Sequence, residues 1–331
     1  DFRSGYYRDQ TFMLATGMMS LAEFFAQLYA HTDIHADPAT AGRSMNAHFA
    51  TRLLNPDGSW KNLSELKNSS ADVSPTGSQM PRLVGLAYAS RLYRQVEELK
   101  QFRQFSQDGN EVAFGTIGNA STSEGMFWEA INAIGVLKAP ALITIYDDGY
   151  GISVPKKYQT TKGSISDILR GFEDEPGKPG LRIFKGLGWD YPGLLKLYEE
   201  GIEICRRDHK PVLFHIEEVT QPLGHSTSGS HERYKPEERL RWEDEFDPIR
   251  KMREWIISKN IAAADELDAL AAEAEEEAKN ARKKGWEMFQ KPIRIERDAL
   301  IKIIENRTCR CTEEAKEDTI DSFKEELKKV I

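Results

Sequence analysis

Residues Gly118–Ser153 read GNASTSEGMFWEAINAIGVLKAPALITIYDDGYGIS. A loop of glycine and hydroxyl residues leads into an apolar segment, Glu124–Leu137, whose pattern predicts a helix. Ala141–Tyr146 is β-rich and reads as a buried strand. Two adjacent carboxylates follow, Asp147 and Asp148, in front of Gly-Tyr-Gly. Side by side they repel one another unless they point apart or a cation lies between them.

The loop alone is a weak signal. Ser121-x-x-Glu124 has the form of a capping box, and a well-capped helix is its plain reading. The functional reading gives the helix start's free N–H groups and positive dipole to an anion. Between Gly118-Asn119-Ala120 and Asp147-Asp148 lie residues 121–146, twenty-six in all, room for one helix and one strand. Such a unit returns its second loop beside its first, so Asn119 and Asp148 face one cation. Magnesium takes oxygen ligands in octahedral array. One amide oxygen, one carboxylate, a backbone carbonyl and two diphosphate oxygens suit it.

Outward from this stretch, the same alternation continues. Phe12–Tyr29 places Leu14, Met18, Leu21, Phe25 and Leu28 at three-to-four spacing, which predicts one helix with a buried face. Residues 50–70 read as a surface excursion and Pro81 to about Lys100 as a helix. Val112–Ile117 and Val212–Glu217 read as strands. Strands alternating with helices predict an α/β fold with a mostly parallel sheet covered on both faces. Ligands in such folds sit beyond the carboxyl ends of the strands. Gly118–Ser123, Asp147–Ser153 and Thr220–His231 are the loops that qualify. From about Asp247 the chain is helical and charged, and Ala262–Lys284 reads as a solvated amphipathic helix.

Bulk composition narrows the classes. The 331 residues carry a net charge of −8, which argues against a nucleic-acid surface. Charged residues make up 30% and hydrophobic residues 40%, as in globular proteins. No apolar run approaches a membrane span. Cys205, Cys309 and Cys311 are too few for a disulfide framework, and Cys309-Arg-Cys311 is too tight and has no second pair for zinc, so they read as reduced thiols. A bacterial cytoplasm is the expected compartment. A mitochondrial matrix is the other, since a chain starting at Asp1 leaves room for an upstream segment.

These motifs resemble the thiamine-diphosphate motif, commonly written Gly-Asp-Gly, twenty-six residues, then Asn-Asn. The text around it is similar to the α subunit of 2-oxo acid dehydrogenase E1 components, the pyruvate, branched-chain 2-oxo acid and acetoin group. The likeness runs from about Tyr6 to about Phe289. YYRDQ (Tyr6–Gln10) resembles the family's tyrosine-arginine diphosphate contact. GRSMNAH (Gly42–His48) resembles its glycine-arginine loop, VSPTGSQMP (Val73–Pro81) its pyrimidine and potassium loop, and LGHSTSGSHERY (Leu223–Tyr234) its histidine loop.

The resemblance implies a thiamine-diphosphate-binding fold over residues 1–290, and 291–331 as a charged helical extension suited to link a β-like portion. It implies oxidative decarboxylation of a 2-oxo acid and acyl transfer to lipoyl-bearing E2, with an E1 β subunit or fused β domain completing the site. Cofactor contacts fall on Tyr7, Arg8, Ser74, Thr76, Gly118, Asn119, Ala120, Ser121, Tyr146, Asp148, Tyr150, Ile152 and His225. His225 is also the expected proton donor. Asn119, Asp148 and the Tyr150 carbonyl would hold Mg2+, and K+ would sit near Ser78 and Gln79. Arg43, His48 and His231 fall at the substrate rim. Ser226 stands where mitochondrial relatives are phosphorylated, and no such regulation is expected here. The family's acidic residue in the first loop is Asn119 and its final asparagine is Asp148, an amide and a carboxylate exchanged. Tyr146 replaces a diphosphate-binding arginine, shifting the anionic load to Arg8 and His225. The competing readings are a non-catalytic E1α-like assembly subunit and another thiamine enzyme of transketolase type. A Rossmann dehydrogenase is disfavoured because GTIGNASTSEG lacks its glycine fingerprint.

Overall fold

The computed structural model describes residues 1–225, 230–306 and 314–329; side chains are described outside 307–320. Ser226, Cys309 and Cys311 lie outside the described residues or side chains. The chain divides into two compact units, Asp1–Met18 with Ala47–Ala271, and Met19–Asn46 with Ala272–Ile331.

The first unit is built on a six-stranded sheet. Its strands are β1 (Phe2–Arg3), β2 (Asn68–Ser69), β3 (Ala113–Gly118), β4 (Ala141–Tyr146), β7 (Arg182–Leu187) and β8 (Val212–Glu217). Their order is β2-β1-β3-β4-β8-β7, and every pairing is parallel. A two-stranded hairpin, β5 (Tyr150–Gly151) and β6 (Val154–Pro155), stands apart. Helices α1 (Gln10–Ala15), α3 (Gln79–Gln95), α4 (Gly125–Leu137), α5 (Ile165–Leu169), α6 (Tyr191–Asp208), α7 (Glu237–Glu245) and α8 (Pro248–Ser258) belong to this unit, and α2 (Leu21–Leu28) to the other. The long α9 (Ala264–Glu305) and α10 (Glu314–Lys329) complete the described helices.

The central strands are apolar without alternation because helices cover both faces. Ile117, Ile143, Ile145 and Leu213 pack with Leu83 of α3 and with Phe127, Ile131 and Ile134 of α4. On the other side Leu142, Val212, Phe214 and Ile216 meet Cys205 of α6. Gly115 lets Leu83 of α3 lie close against the strand. A Cβ there would lie 2.7 Å from Leu83 Cδ2 and 3.0 Å from the Ser4 carbonyl.

Two local expectations are corrected. The single helix over 12–29 is two: Thr16 caps α1, Gly17 takes φ +69°, and Ser20 restarts the chain as α2 with a capping box to Glu23. The buried apolar residues of this stretch are Met13, Met19 and Ala26, whereas Leu28 is exposed. The capping box expected at Ser121 is not formed. Thr122 Oγ1 donates to the Asn119 carbonyl at 2.6 Å, which tightens Ala120–Ser123 into a 3-10 turn. Helix α4 then starts one residue past Glu124, whose side chain makes no cap.

In the second unit, α2 packs on α9 around Gly285, where a Cβ would come within 2.8 Å of Phe25 Cβ. Tyr29, Trp286 and Phe289 form an aromatic cluster. The expected division at residue 290 falls inside α9. Among the described residues no helix is long and apolar enough to cross a membrane.

Candidate functional site

The three loops singled out in the sequence leave the carboxyl ends of β3, β4 and β8, neighbours in the sheet. Backbone bonds stitch them together. Asn119 N–H donates to the Tyr146 carbonyl at 2.9 Å, Asp147 N–H to Ile216 at 2.9 Å, and Val219 N–H to Asp147 at 3.1 Å. Beyond these ends opens a cavity of about 970 Å³. Cavities of that order are typical of ligand pockets.

The paired aspartates part company here. Asp147 turns inward, 2% exposed, and receives His215 Nε2 at 3.0 Å, Lys156 Nζ at 2.8 Å and Gly149 N–H at 2.8 Å. Burial alone would raise its carboxyl, but the bonds from His215 and Lys156 outweigh burial and hold it below the ordinary range. Asp148 turns the other way and lines the cavity. Burial raises its carboxyl above the ordinary range, against a bond from Tyr150 N–H (3.0 Å) and the fields of Lys235 and Arg239. One carboxylate is satisfied by the fold and the other is held short of partners.

Asp147, His215 and Glu217 also come close enough to hold a metal. A cation already occupies that corner, since Lys156 Nζ lies 2.8 Å from Asp147 and 3.8 Å from Glu217. Ser166, His215 and Asp147 fall in line, with Ser166 Oγ 2.8 Å from His215 Nδ1. With His215 at 0% and Ser166 at 2% exposure, no substrate reaches that hydroxyl, and the row is a brace for the Asp147 turn.

Asn119, 6% exposed, faces the cavity from the first loop, and its amide Nδ2 is buried without a partner among the described residues. Tyr150 supplies a carbonyl. Its pairing with Pro155 is a non-hydrogen-bonded one, the neighbouring bond running from Lys156 N–H to the Gly149 carbonyl at 2.8 Å, so the Tyr150 carbonyl points away from the other strand of the hairpin. Ile152, β-branched, holds φ +58°. That is a costly conformation of the kind found at ligand-gripping turns.

Four buried side-chain atoms around this one cavity lack partners among the described residues: Asn119 Nδ2, Gln159 Oε1, Thr220 Oγ1 and His225 Nδ1. Buried polar groups are ordinarily paired, so their convergence marks a polar ligand site. Burial and nearby Arg8 lower the His225 imidazole, keeping it neutral near pH 7. Arg8 Nη2 donates to the His225 carbonyl at 2.9 Å, tying the first loop of the chain to the histidine loop. Arg8 is placed by a buried network. Arg3 bonds Asp9 at 2.8 Å and grips Asp72 through two bonds at 3.0 and 3.1 Å, while Thr116 donates to Asp9.

Of the residues expected from sequence, Tyr7, Arg8, Thr76, Gly118, Asn119, Ala120, Ser121, Tyr146, Asp148, Tyr150, Ile152 and His225 all line the cavity. Ser74, His48 and His231 are not among its lining residues. His48 Nε2 lies 2.9 Å from Ser74 Oγ, and His231 Nε2 lies 3.5 Å from Glu232. Arg43 belongs to the second unit. Gln79 donates its amide to the Thr116 carbonyl and accepts Ser4 Oγ at its own carbonyl, while Ser78 opens α3 without a side-chain cap.

Sequence reasoning missed the support behind Asp148. Lys235 and Glu243, 4% and 2% exposed, pair at 2.7 Å, and Arg239 bonds Glu243 at 2.8 Å. Arg239 also donates to the Asp148 carbonyl at 3.0 Å. The i, i+4 spacing of Arg239 and Glu243 was the available signal, and it reads equally as an ordinary surface pair.

The fold and site define an α/β protein with a candidate ligand cavity at the carboxyl edge of a parallel sheet, where an amide, a carboxylate and an arginine meet. The particular group follows from comparison: residues 1–293 match the dehydrogenase E1 component family, and the chain belongs to it. It is 28% identical over 290 residues to the 2-oxoisovalerate dehydrogenase subunit alpha of Bacillus subtilis, covering 85% of this chain and 76% of that protein. The mitochondrial 2-oxoisovalerate dehydrogenase subunit alpha of Caenorhabditis elegans is 28% identical over 78% of this chain and 51% of its own length. A chloroplastic pyruvate dehydrogenase E1 component subunit alpha-3 of rice is 26% identical over 64% and 47%. The chain spans about half the length of several of the relatives it matches.

Proposed function

We propose that this chain is the α component of a 2-oxo acid dehydrogenase and holds the diphosphate of thiamine diphosphate through Mg2+. The observation that carries this reading is the division of labour between the two aspartates, one satisfied by the fold and one held under-partnered at the cavity. Asn119, Asp148 and the Tyr150 carbonyl would hold the cation; an amide, a carboxylate and a carbonyl are the hard oxygen donors magnesium takes. When bound, thiamine diphosphate supplies the electron sink for decarboxylation of a 2-oxo acid.

The chain's own residues bind and orient. Arg8 and His225 meet the diphosphate, Arg8 as a full cation and His225 as a neutral donor able to pass a proton. Tyr146 contributes only a phenol, and burial raises it far above its ordinary range, so it stays protonated and can donate to a phosphate oxygen. In the family this chain resembles, the glutamate that activates the aminopyrimidine comes from the β subunit, so a β subunit or fused β portion, possessing that carboxylate, would complete the site. The acyl group would then pass to lipoyl-bearing E2.

The test is decarboxylation of branched 2-oxo acids and pyruvate with an artificial electron acceptor, with and without the β half. The reading expects turnover only when both are present. Substantial turnover by these residues alone would overturn the half-site reading.

A further inference from the structure

Two of the four unpaired atoms around the cavity, those of Asn119 and His225, are accounted for by the proposed diphosphate and cation. Gln159 Oε1 is not. Gln159 follows the 3-10 turn Lys156–Tyr158, and its side chain folds back so that Nε2 donates to the Val154 carbonyl at 3.2 Å. Because that partner is a carbonyl, the nitrogen must be on that side and the oxygen is the free end. The oxygen is buried, lacks a partner among the described residues, and belongs to a residue lining the cavity.

Its neighbours locate it. The amide lies over Gly151, where any Cβ would overlap it, and such a Cβ would also come 2.7 Å from Ala120 Cβ. Gly151 and Ala120 directly follow Tyr150 and Asn119, two of the three residues assigned to the cation. An amide oxygen only accepts hydrogen bonds. Diphosphate oxygens, ionised near pH 7, offer it no hydrogen. A hydrated cation does, because Mg2+ gives up its water reluctantly and polarises what it keeps.

We infer that Gln159 is a positioning residue of the cation site, its Oε1 accepting from the water that Mg2+ retains. This rests on the proposed cofactor reading. It extends the cation site to a segment that none of the recognised motifs covers. Outer partners of this kind set metal affinity because they fix the water and its lone pairs in place.

The experiment titrates Mn2+ into the complete protein at saturating thiamine diphosphate, reading free Mn2+ by its electron paramagnetic resonance signal. Gln159→Met should weaken Mn2+ about ten- to a hundredfold. Gln159→Glu should bind at least as tightly as the wild type, since it keeps an acceptor and adds a negative charge. Both variants lose the bond to Val154, so a merely structural role predicts equal weakening. Equal weakening, or an unchanged affinity in Gln159→Met, overturns the inference. Asp148→Asn separates it from the cofactor reading. Loss of Mn2+ in Asp148→Asn with none in Gln159→Met leaves the cofactor reading standing and rejects Gln159. Failure of the wild type to bind Mn2+ rejects both.

Discussion

Replacing each aspartate of the pair by asparagine should separate stability from ligand binding. Asp147 accepts from His215, Lys156 and Gly149 while 2% exposed. Asparagine offers one oxygen and one amino group in that place, so at least one charge-assisted bond is lost, worth roughly 1.5–3 kcal/mol. Lys156 is 31% exposed and can turn to water. That keeps the cost below the roughly 3–5 kcal/mol of a fully buried broken pair. Asp147→Asn should therefore lose about 2–3 kcal/mol, a thermal shift of roughly 4–10 °C for a unit of this size. Asp148 has one backbone bond, from Tyr150, that an asparagine oxygen can keep, and burial disfavours its charge. Asp148→Asn should stay within about 0.5 kcal/mol of the wild type or exceed it. Urea unfolding without ligand measures both. Because the Asp147 carboxyl is depressed, its stabilisation is present above about pH 3.9 and lost as pH falls through the lower folded value. The gap between wild type and Asp147→Asn should close over that acid range. Equal losses in the two variants, or no loss in Asp147→Asn, would refute the division of labour.

Other consequences follow from the same geometry. Arg8→Ala removes a charge-assisted contact and should weaken thiamine diphosphate about ten- to a hundredfold by titration, with little change in unfolding midpoint. Lys235→Met leaves Glu243 buried with only Arg239 and should cost about 3 kcal/mol in urea unfolding, much of it regained in Lys235→Met/Glu243→Leu. Asp148 has a raised carboxyl, so Mg2+-dependent cofactor binding should begin to fall at a higher pH than an ordinary carboxylate would give, as binding then requires deprotonation. Calorimetry over acid pH reads this directly.

The sequence carried β3, α4, β4 and β8 because continuous apolar runs bounded by Gly and Pro are the mark of buried parallel strands and their covering helix. It did not reveal β7 or α6. β7, Arg-Ile-Phe-Lys-Gly-Leu, is a half-exposed edge strand whose pattern is weak, and β1 and β2 have two residues each. The merged helix over 12–29 came from a period that runs on through Thr16-Gly17 into Met18, which hides a left-handed glycine. Cavity residues in Tyr7–Arg8, Gly118–Ser121 and Tyr146–Ile152 were legible because each cluster is local in sequence. Lys235 and Arg239 were not, since they reach Asp148 from a distant segment, and Lys156 and Gln159 were not, since the hairpin that folds them back onto Asp147 and Gly151 leaves no residue pattern.

Cofactor binding through the cation is the central claim, and one titration tests it most directly. Thiamine diphosphate added to the complete protein, with Mg2+ and with Mg2+ removed by chelation, should bind saturably only when the cation is present. Asp148→Asn should lose this Mg2+-dependent binding, and Asp147→Asn, held below its unfolding temperature, should keep it. Binding indifferent to Mg2+, or lost equally in both variants, would contradict the assignment of Asn119, Asp148 and Tyr150 to the cation.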